Sequence, residues 1–226
     1  MLNLTHIESF EKIDSDLLKE INQVGKIKTF LKGSPAFDCD DTLKHFYIIL
    51  DGVIKVYRYN PQNNKEQTLY LLKQNDFFDT LTLLDGKYHE VMTLTLETSK
   101  VLELPIQKVR EWIETKPEFN KAFFPYMAKQ LREVEELATD ISPYDTSTRL
   151  IKLLLKNIDP TNPLKELKLL QKLSHEELAS MIGSVRAVVN RYLQQLKKEG
   201  IIDIKRKKIA VNDVAKLLER VEDEYK

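Results

Sequence analysis

The feature that most constrains the fold is a change of hydrophobic period at Ile106. Across residues 25–104 the apolar residues come in short runs rich in Val, Ile, Tyr, Phe and Leu, broken at Lys32-Gly33-Ser34-Pro35, Asp51-Gly52, Asn60-Pro61 and Asp85-Gly86. That grammar belongs to antiparallel strands and turns. Residues 46–58 predict two strands around an Asp-Gly turn, and residues 90–104 two more around 97–100. Several such hairpins predict a barrel or roll. An amphipathic helix leads into it over residues 10–24, where Phe10, Ile13, Leu17, Leu18 and Ile21 fall at helical spacing. From Ile106 onward that spacing dominates, so the fold class is α+β.

A short helix is predicted to Thr115, which caps a new one; Pro117 suits its first turn and Glu118 completes a capping box. In this long helix Phe123, Met127, Leu131, Val134, Leu137 and Ile141 recur at three and four residues, with Lys129, Arg132, Glu133, Glu135 and Glu136 mostly on the other faces. Such a stripe is the seam of a helix that packs on another helix, a dimerisation element; its alternative is packing on its own domain. Pro125 opposes the carbonyl of Lys121 and predicts a kink or break. Ser142-Pro143-Tyr144-Asp145 marks the boundary, which gives a β domain at 1–115, a dimerisation helix and hinge at 116–142, and a second domain at 143–226.

Charge follows the same boundary. Thirty-five Lys and Arg balance 35 Asp and Glu, yet residues 1–142 carry net −5 and residues 143–226 net +5. The neutral total excludes a uniformly basic nucleic-acid coat but not a basic domain. A single Cys39 forms no intramolecular disulfide and suits a reducing, cytoplasmic setting. Neither a signal-peptide pattern nor a run of about 18 apolar residues is present, so no membrane association is expected.

The most informative stretch is 174–193. Ser174 caps a helix with Glu177 at the reciprocal position; Leu178 and Ile182 face inward; Gly183 permits a tight turn; Val189, Leu193 and Leu196 form the inner stripe of the next helix. This predicts a helix-turn-helix, and its alternative is an αα-hairpin with solvated arginines. Arg186, Asn190 and Arg191 lie outward on the N-terminal half of the second helix, where arginine can donate twice to guanine O6 and N7 in a major groove. Ser174 and Ser184 flank that helix's approach to the duplex. Residues 201–204 and 208–211 predict a two-stranded wing whose tip, including Lys205 and Lys207, suits phosphates. A final helix is predicted from Asn212 as cap. No paired His/Glu zinc motif, Gly-rich phosphate loop or nucleophile elbow occurs, so no enzyme is predicted.

Taken in order, these parts resemble the CRP/FNR family of bacterial transcription regulators over essentially the whole chain. The resemblance implies an N-terminal β-roll of the cyclic-nucleotide-binding type (a double-stranded β-helix), a long dimerising helix and a C-terminal winged helix-turn-helix. It implies a homodimer reading a pseudo-palindromic double-stranded DNA operator with half-sites about 34 Å apart, and RNA polymerase as a further partner of an activator. Arg186 and Arg191 match the arginines of the family's R-E-x-x-x-R pattern, with Ala187 where the glutamate belongs. The run 182–191 with Lys207-Lys208-Ile209 is most similar to the cyanobacterial nitrogen-control branch.

The family's effector cassette has a glutamate for the ribose and an Arg-Ser pair for the cyclic phosphate. Here Thr80, next to Asp79, stands at the glutamate, and Glu90 and Val91 stand at the arginine and serine. Val134 and Glu135 replace two hydroxyl residues that reach the base. A carboxylate facing a phosphate repels it, so cyclic AMP or GMP is not expected. An iron–sulfur cluster needs more thiolates than Cys39 supplies. The cassette loss resembles the nitric-oxide-responsive denitrification regulators, which implies haem, with His6, His45, His89, Met127 and Cys39 as candidate ligands. Another small molecule, or no effector, stays open. So does a rival in which the winged domain binds protein instead of DNA.

Overall fold

The computed structural model describes residues 13–62, 65–141, 144–159, 166–167, 170–205 and 208–222. The chain divides into two compact units, Met1–Glu133 and Val134–Lys226.

In the first unit Asp14 caps α1 (Ser15–Val24) by accepting the Leu17 N–H at 2.8 Å, and Leu17 and Ile21 are buried. Phe10 lies outside the described residues. The strands are β1 (Lys26–Phe30), β2 (His45–Asp51), β3 (Ile54–Asn60), β4 (Lys65–Leu72), β5 (Phe77–Phe78), β6 (Met92–Thr95) and β7 (Ser99–Pro105). Short helices α2 (Cys39–Thr42) and α3 (Thr80–Asp85) interrupt them, and α4 (Ile106–Thr115) and α5 (Pro117–Ile141) follow. Two sheets form, ordered β1-β7-β2-β5 and β4-β3-β6.

The expected hairpins at 46–58 and 90–104 are corrected by this topology. The strands exist, but β2 and β3 lie in different sheets, as do β6 and β7. Each segment bends from one sheet to the other, and the two segments pair with each other, β2 with β7 and β3 with β6. The bend at Gly52 requires glycine: its φ is +92°, and a Cβ there would collide with the backbone and side chain of Ser99. Among the described residues of this unit, only β3 and β4 form a sequence-local hairpin.

Strand alternation divides the core in two. Phe46, Ile48 and Phe77 pack with Leu17, Ile21, Trp112, Phe119 and Phe123 under the helices. Tyr47, Ile49, Ile54, Val56 and Phe78 join Phe37 and Val91 in the other cluster. There the Phe37 ring stacks 4.5 Å from Tyr47 and lies 4.4 Å from Phe78.

Three helix-level expectations change. Thr115 is not a cap: its hydroxyl donates to the Glu111 carbonyl one turn back, and the Lys116 carbonyl receives the first amides of α5. Pro125 does not break α5, which runs unbroken from Pro117 to Ile141 with the exposed proline inside it. Phe123 is no seam residue. It is wholly buried in its own unit's core, and Met127 packs against the same cluster.

In the second unit Asp145 caps α6 (Thr146–Lys156), followed by α7 (His175–Met181), α8 (Arg186–Lys198), strands β8 (Ile202–Lys205) and β9 (Lys208–Val211), and α9 (Val214–Glu222). Leu150, Leu154, Leu178, Val189, Leu193 and Leu217 are fully buried. The cap of α9 is Asp213, which accepts the Lys216 N–H at 3.0 Å, whereas Asn212 donates to the Gly200 carbonyl.

Candidate nucleic-acid interface and effector cassette

The turn between α7 and α8 is built from short-range bonds. The Ser174 hydroxyl accepts the Glu177 N–H at 3.2 Å while Glu177 accepts the Ser174 N–H at 2.8 Å, the reciprocal box expected from the sequence. Gly183 sits at φ +62° and the Ser184 N–H donates to the Ala179 carbonyl. On α8, Val189, Leu193 and Leu196 turn inward, while Arg186, Ala187, Asn190 and Arg191 are exposed on the opposite side. The Arg191 guanidinium lies 5.1 Å over the Tyr192 ring. Val185, at the cap position, is an exposed apolar side chain that supplies no cap bond.

The wing pairs Ile202 with Val211 and Lys205 with Lys208. Lys197 of α8 donates to the Ile204 carbonyl, fastening helix to wing, and Lys205 reaches Asp203 at 2.8 Å. Lys207 lies outside the described residues.

Sequence reasoning missed Arg149 of α6. Its guanidinium donates to the carbonyls of Ile182 and Tyr144, both at 2.8 Å, and so ties the turn before α8 to the start of α6. The available signal was one arginine between the inward residues Thr148 and Leu150.

The cassette stretch behaves differently from its expected ligand role. Asp79, at φ +61°, caps α3 and is buried. Its carboxylate accepts His89 Nδ1 at 2.9 Å, the Thr82 hydroxyl at 2.7 Å and the Thr82 N–H at 3.4 Å, with the Thr42 hydroxyl as a further donor. Burial by itself would raise this group's pKa; the bonds from His89, Thr82 and Thr42 outweigh it and hold the carboxyl below the usual range. An ionised carboxylate only accepts, so His89 Nδ1 carries the proton. Thr80 is half-buried, Glu90 exposed and Val91 buried in the aromatic cluster, and the Glu90 carbonyl accepts from Arg58 Nε at 3.3 Å.

On the long helix Leu131 and Val134 are exposed, as are Phe124 and Glu135; Phe124 was absent from the expected stripe. The side chains of Leu137 and Ile141 lie outside what is described, as do His6 and the Cys39 side chain. Of the remaining haem-ligand candidates, His89 is committed to Asp79 and Met127 packs in the helix-side core, while His45 begins β2 with a buried Nδ1 that has no hydrogen-bond partner. Among the described residues no group of three or more His, Cys, Asp or Glu could hold a metal ion.

Residues 27–116 match the cyclic nucleotide-binding domain profile, and residues 148–220 match the Crp-like helix-turn-helix domain profile. The chain belongs to the CRP/FNR family of transcription regulators. Curated relatives include the global nitrogen regulators of a Nostoc species, 29% identical over 82% of this chain and 85% of theirs, and of a Synechocystis species, 26% identical over 90% of each. A solved CooA variant from Carboxydothermus hydrogenoformans has the same fold, with a TM-score of 0.75, 21% identity and 98% coverage of both chains. As a CRP/FNR-type protein the chain is a DNA-binding transcription regulator. No helix of its described residues is long and apolar enough to cross a membrane.

Proposed function

We propose that the chain acts in the cytoplasm as a homodimer that reads a pseudo-palindromic operator, with α8 in the major groove and the wing on phosphates. The observation that carries this reading is the division of α8: an inner stripe of Val189, Leu193 and Leu196 leaves Arg186, Asn190 and Arg191 together on the exposed side. Arginine and asparagine are the side chains that make bidentate contacts to guanine and adenine. Ala187 removes a cytosine-accepting carboxylate and offers a methyl group, and exposed Val185 adds a second apolar contact suited to thymine. Ser174, Ser184, Lys205 and Lys207 serve backbone positioning. Leu131, Val134 and Phe124 supply the dimer seam, continued by Leu137 and Ile141. As an activator it would also contact RNA polymerase.

The first domain, 1–115, is a sensor-type roll joined through 116–142 to the DNA-binding domain at 143–226. Thr80 offers no carboxylate to a ribose, and Glu90 and Val91 offer neither an arginine nor a hydroxyl to a cyclic phosphate, which speaks against a cyclic nucleotide. We read the chain as a regulator, not an enzyme.

Titration of labelled promoter fragments tests the interface. Arg186→Ala and Arg191→Ala should each weaken the specific complex by about 1–3 kcal/mol and relax selectivity at one base step. Affinity that is independent of sequence and unchanged by both substitutions would point instead to a protein-binding winged domain.

A further inference from the structure

We propose that the effector cassette of this chain is closed by its own side chains, with Asp79 as an internal anion, so that the regulator takes up its DNA-binding form with no anionic effector. The inference rests on the DNA-regulator reading above and deepens it. Three sets of contacts carry it.

The first is at the N-terminus of α3. The donors that an incoming anion would meet there, the Thr82 amide and hydroxyl and the His89 imidazole, converge on the Asp79 carboxylate. A carboxylate has about four lone-pair sites, and with Thr42 as a further donor Asp79 is satisfied without a ligand. The Asp79–His89 bond also spans the loop from the start of α3 to the residue before Glu90 and Val91, joining the two ends of the cassette. An added phosphate would face a buried negative charge already holding those donors.

The second is at the other end of α3. Arg110 of α4 donates through Nε to the Leu83 carbonyl and through a terminal nitrogen to the Thr82 carbonyl, both at 2.8 Å. A guanidinium on the last carbonyls of a helix favours the negative end of its dipole. Both ends of α3 are thus fixed from within the unit.

The third joins the cassette to the long helix. The Tyr126 hydroxyl accepts the Phe77 N–H at 3.0 Å and donates to the Phe77 carbonyl at 3.1 Å, two residues before Asp79. Ring packing at 4.4 Å reinforces the contact. Closure of the cassette and the seat of α5 on the roll are therefore parts of one bonded assembly. A ligand shifts a two-state equilibrium only by its differential affinity for the two states, and here the closed state is supplied with its anion covalently.

Hydrogen exchange on the full-length protein tests this without DNA. In wild-type protein with no additive, the amides of Thr82, Leu83, Gly86 and Val91 should exchange at least tenfold more slowly than in Asp79→Asn or His89→Ala. Cyclic AMP, cyclic GMP and inorganic phosphate at millimolar concentration should leave the wild-type rates unchanged. Amides of the β2–β7 ladder report whether each variant is folded; if either variant fails that control, Thr82→Val, which removes one donor, takes its place. Wild-type rates as fast as the variants', or protection that appears only with an added anion, would overturn the proposal. A second arm measures affinity for a genomic duplex selected by the protein. Full affinity without effector supports closure, and affinity raised tenfold or more by any of the three anions contradicts it. Failure to bind any DNA under all conditions would sink the DNA reading instead, and the exchange arm would still decide the cassette.

Discussion

Asp79 holds a backbone conformation that costs a non-glycine residue about 1–3 kcal/mol, and its four donors are what offset that cost. Because the folded carboxyl is held below its usual range, its contribution is fully present above the unfolded value of about 3.9 and is lost as pH falls through the folded value. Thermal melting between pH 7 and pH 3 should therefore show wild-type protein more stable than Asp79→Asn at neutral pH, with the gap closing below about pH 4. A gap independent of pH would contradict the assignment. The reciprocal Ser174–Glu177 box was readable from the chain, because both partners lie in one helical turn and fit the capping pattern. Asp79 was read as part of the degenerate effector cassette but not as an internal acceptor, because His89 and Thr42 reach it through the fold. The caps misassigned to Thr115 and Asn212 have a different origin: each side chain has a competing carbonyl, Glu111 one turn back in the preceding helix for Thr115 and Gly200 across the wing for Asn212.

Among the elements, α5 has two characters along its length. Phe119, Phe123 and Tyr126 face the roll and are buried, whereas Phe124, Leu131 and Val134 are exposed apolar residues on the same helix. Heptad spacing alone merged the two stripes, because Phe123 and Leu131 differ by eight positions and share a face in any regular helix. The expected consequences separate them. Phe123→Ala should cost about 3–5 kcal/mol of stability through the cavity it leaves, seen as a lower melting temperature of the N-terminal unit. Leu131→Glu should leave that transition nearly unchanged and weaken self-association in sedimentation equilibrium. Equal loss of stability in both would contradict the division. The strands, by contrast, were placed well and paired wrongly. Asp51-Gly52 predicts a tight hairpin on local grounds, yet the bend at Gly52 against Ser99 sends β2 and β3 to separate sheets, a choice made by partners some fifty residues away.

At the scale of the molecule, the neutral total charge resolves into an acidic sequence up to Ser142 and a basic one after it; of the basic residues singled out for DNA, Arg186 and Arg191 sit on the exposed side of α8 and Lys205 ends β8. Such an arrangement supplies non-specific attraction through phosphates and selectivity through α8. The order of domains was legible because period, boundary residues and charge change together; the state of the cassette was not, because it depends on contacts among α2, α3, α4 and α5. Whether the chain reads sequence is decided by the ratio of its affinities for a selected operator and a scrambled duplex, taken at two salt concentrations. A sequence-reading regulator should prefer its operator by about a thousandfold or more, with both affinities falling as salt rises, and Arg186→Ala should reduce the ratio. A ratio near one at both salt concentrations would mean that α8 reads no sequence.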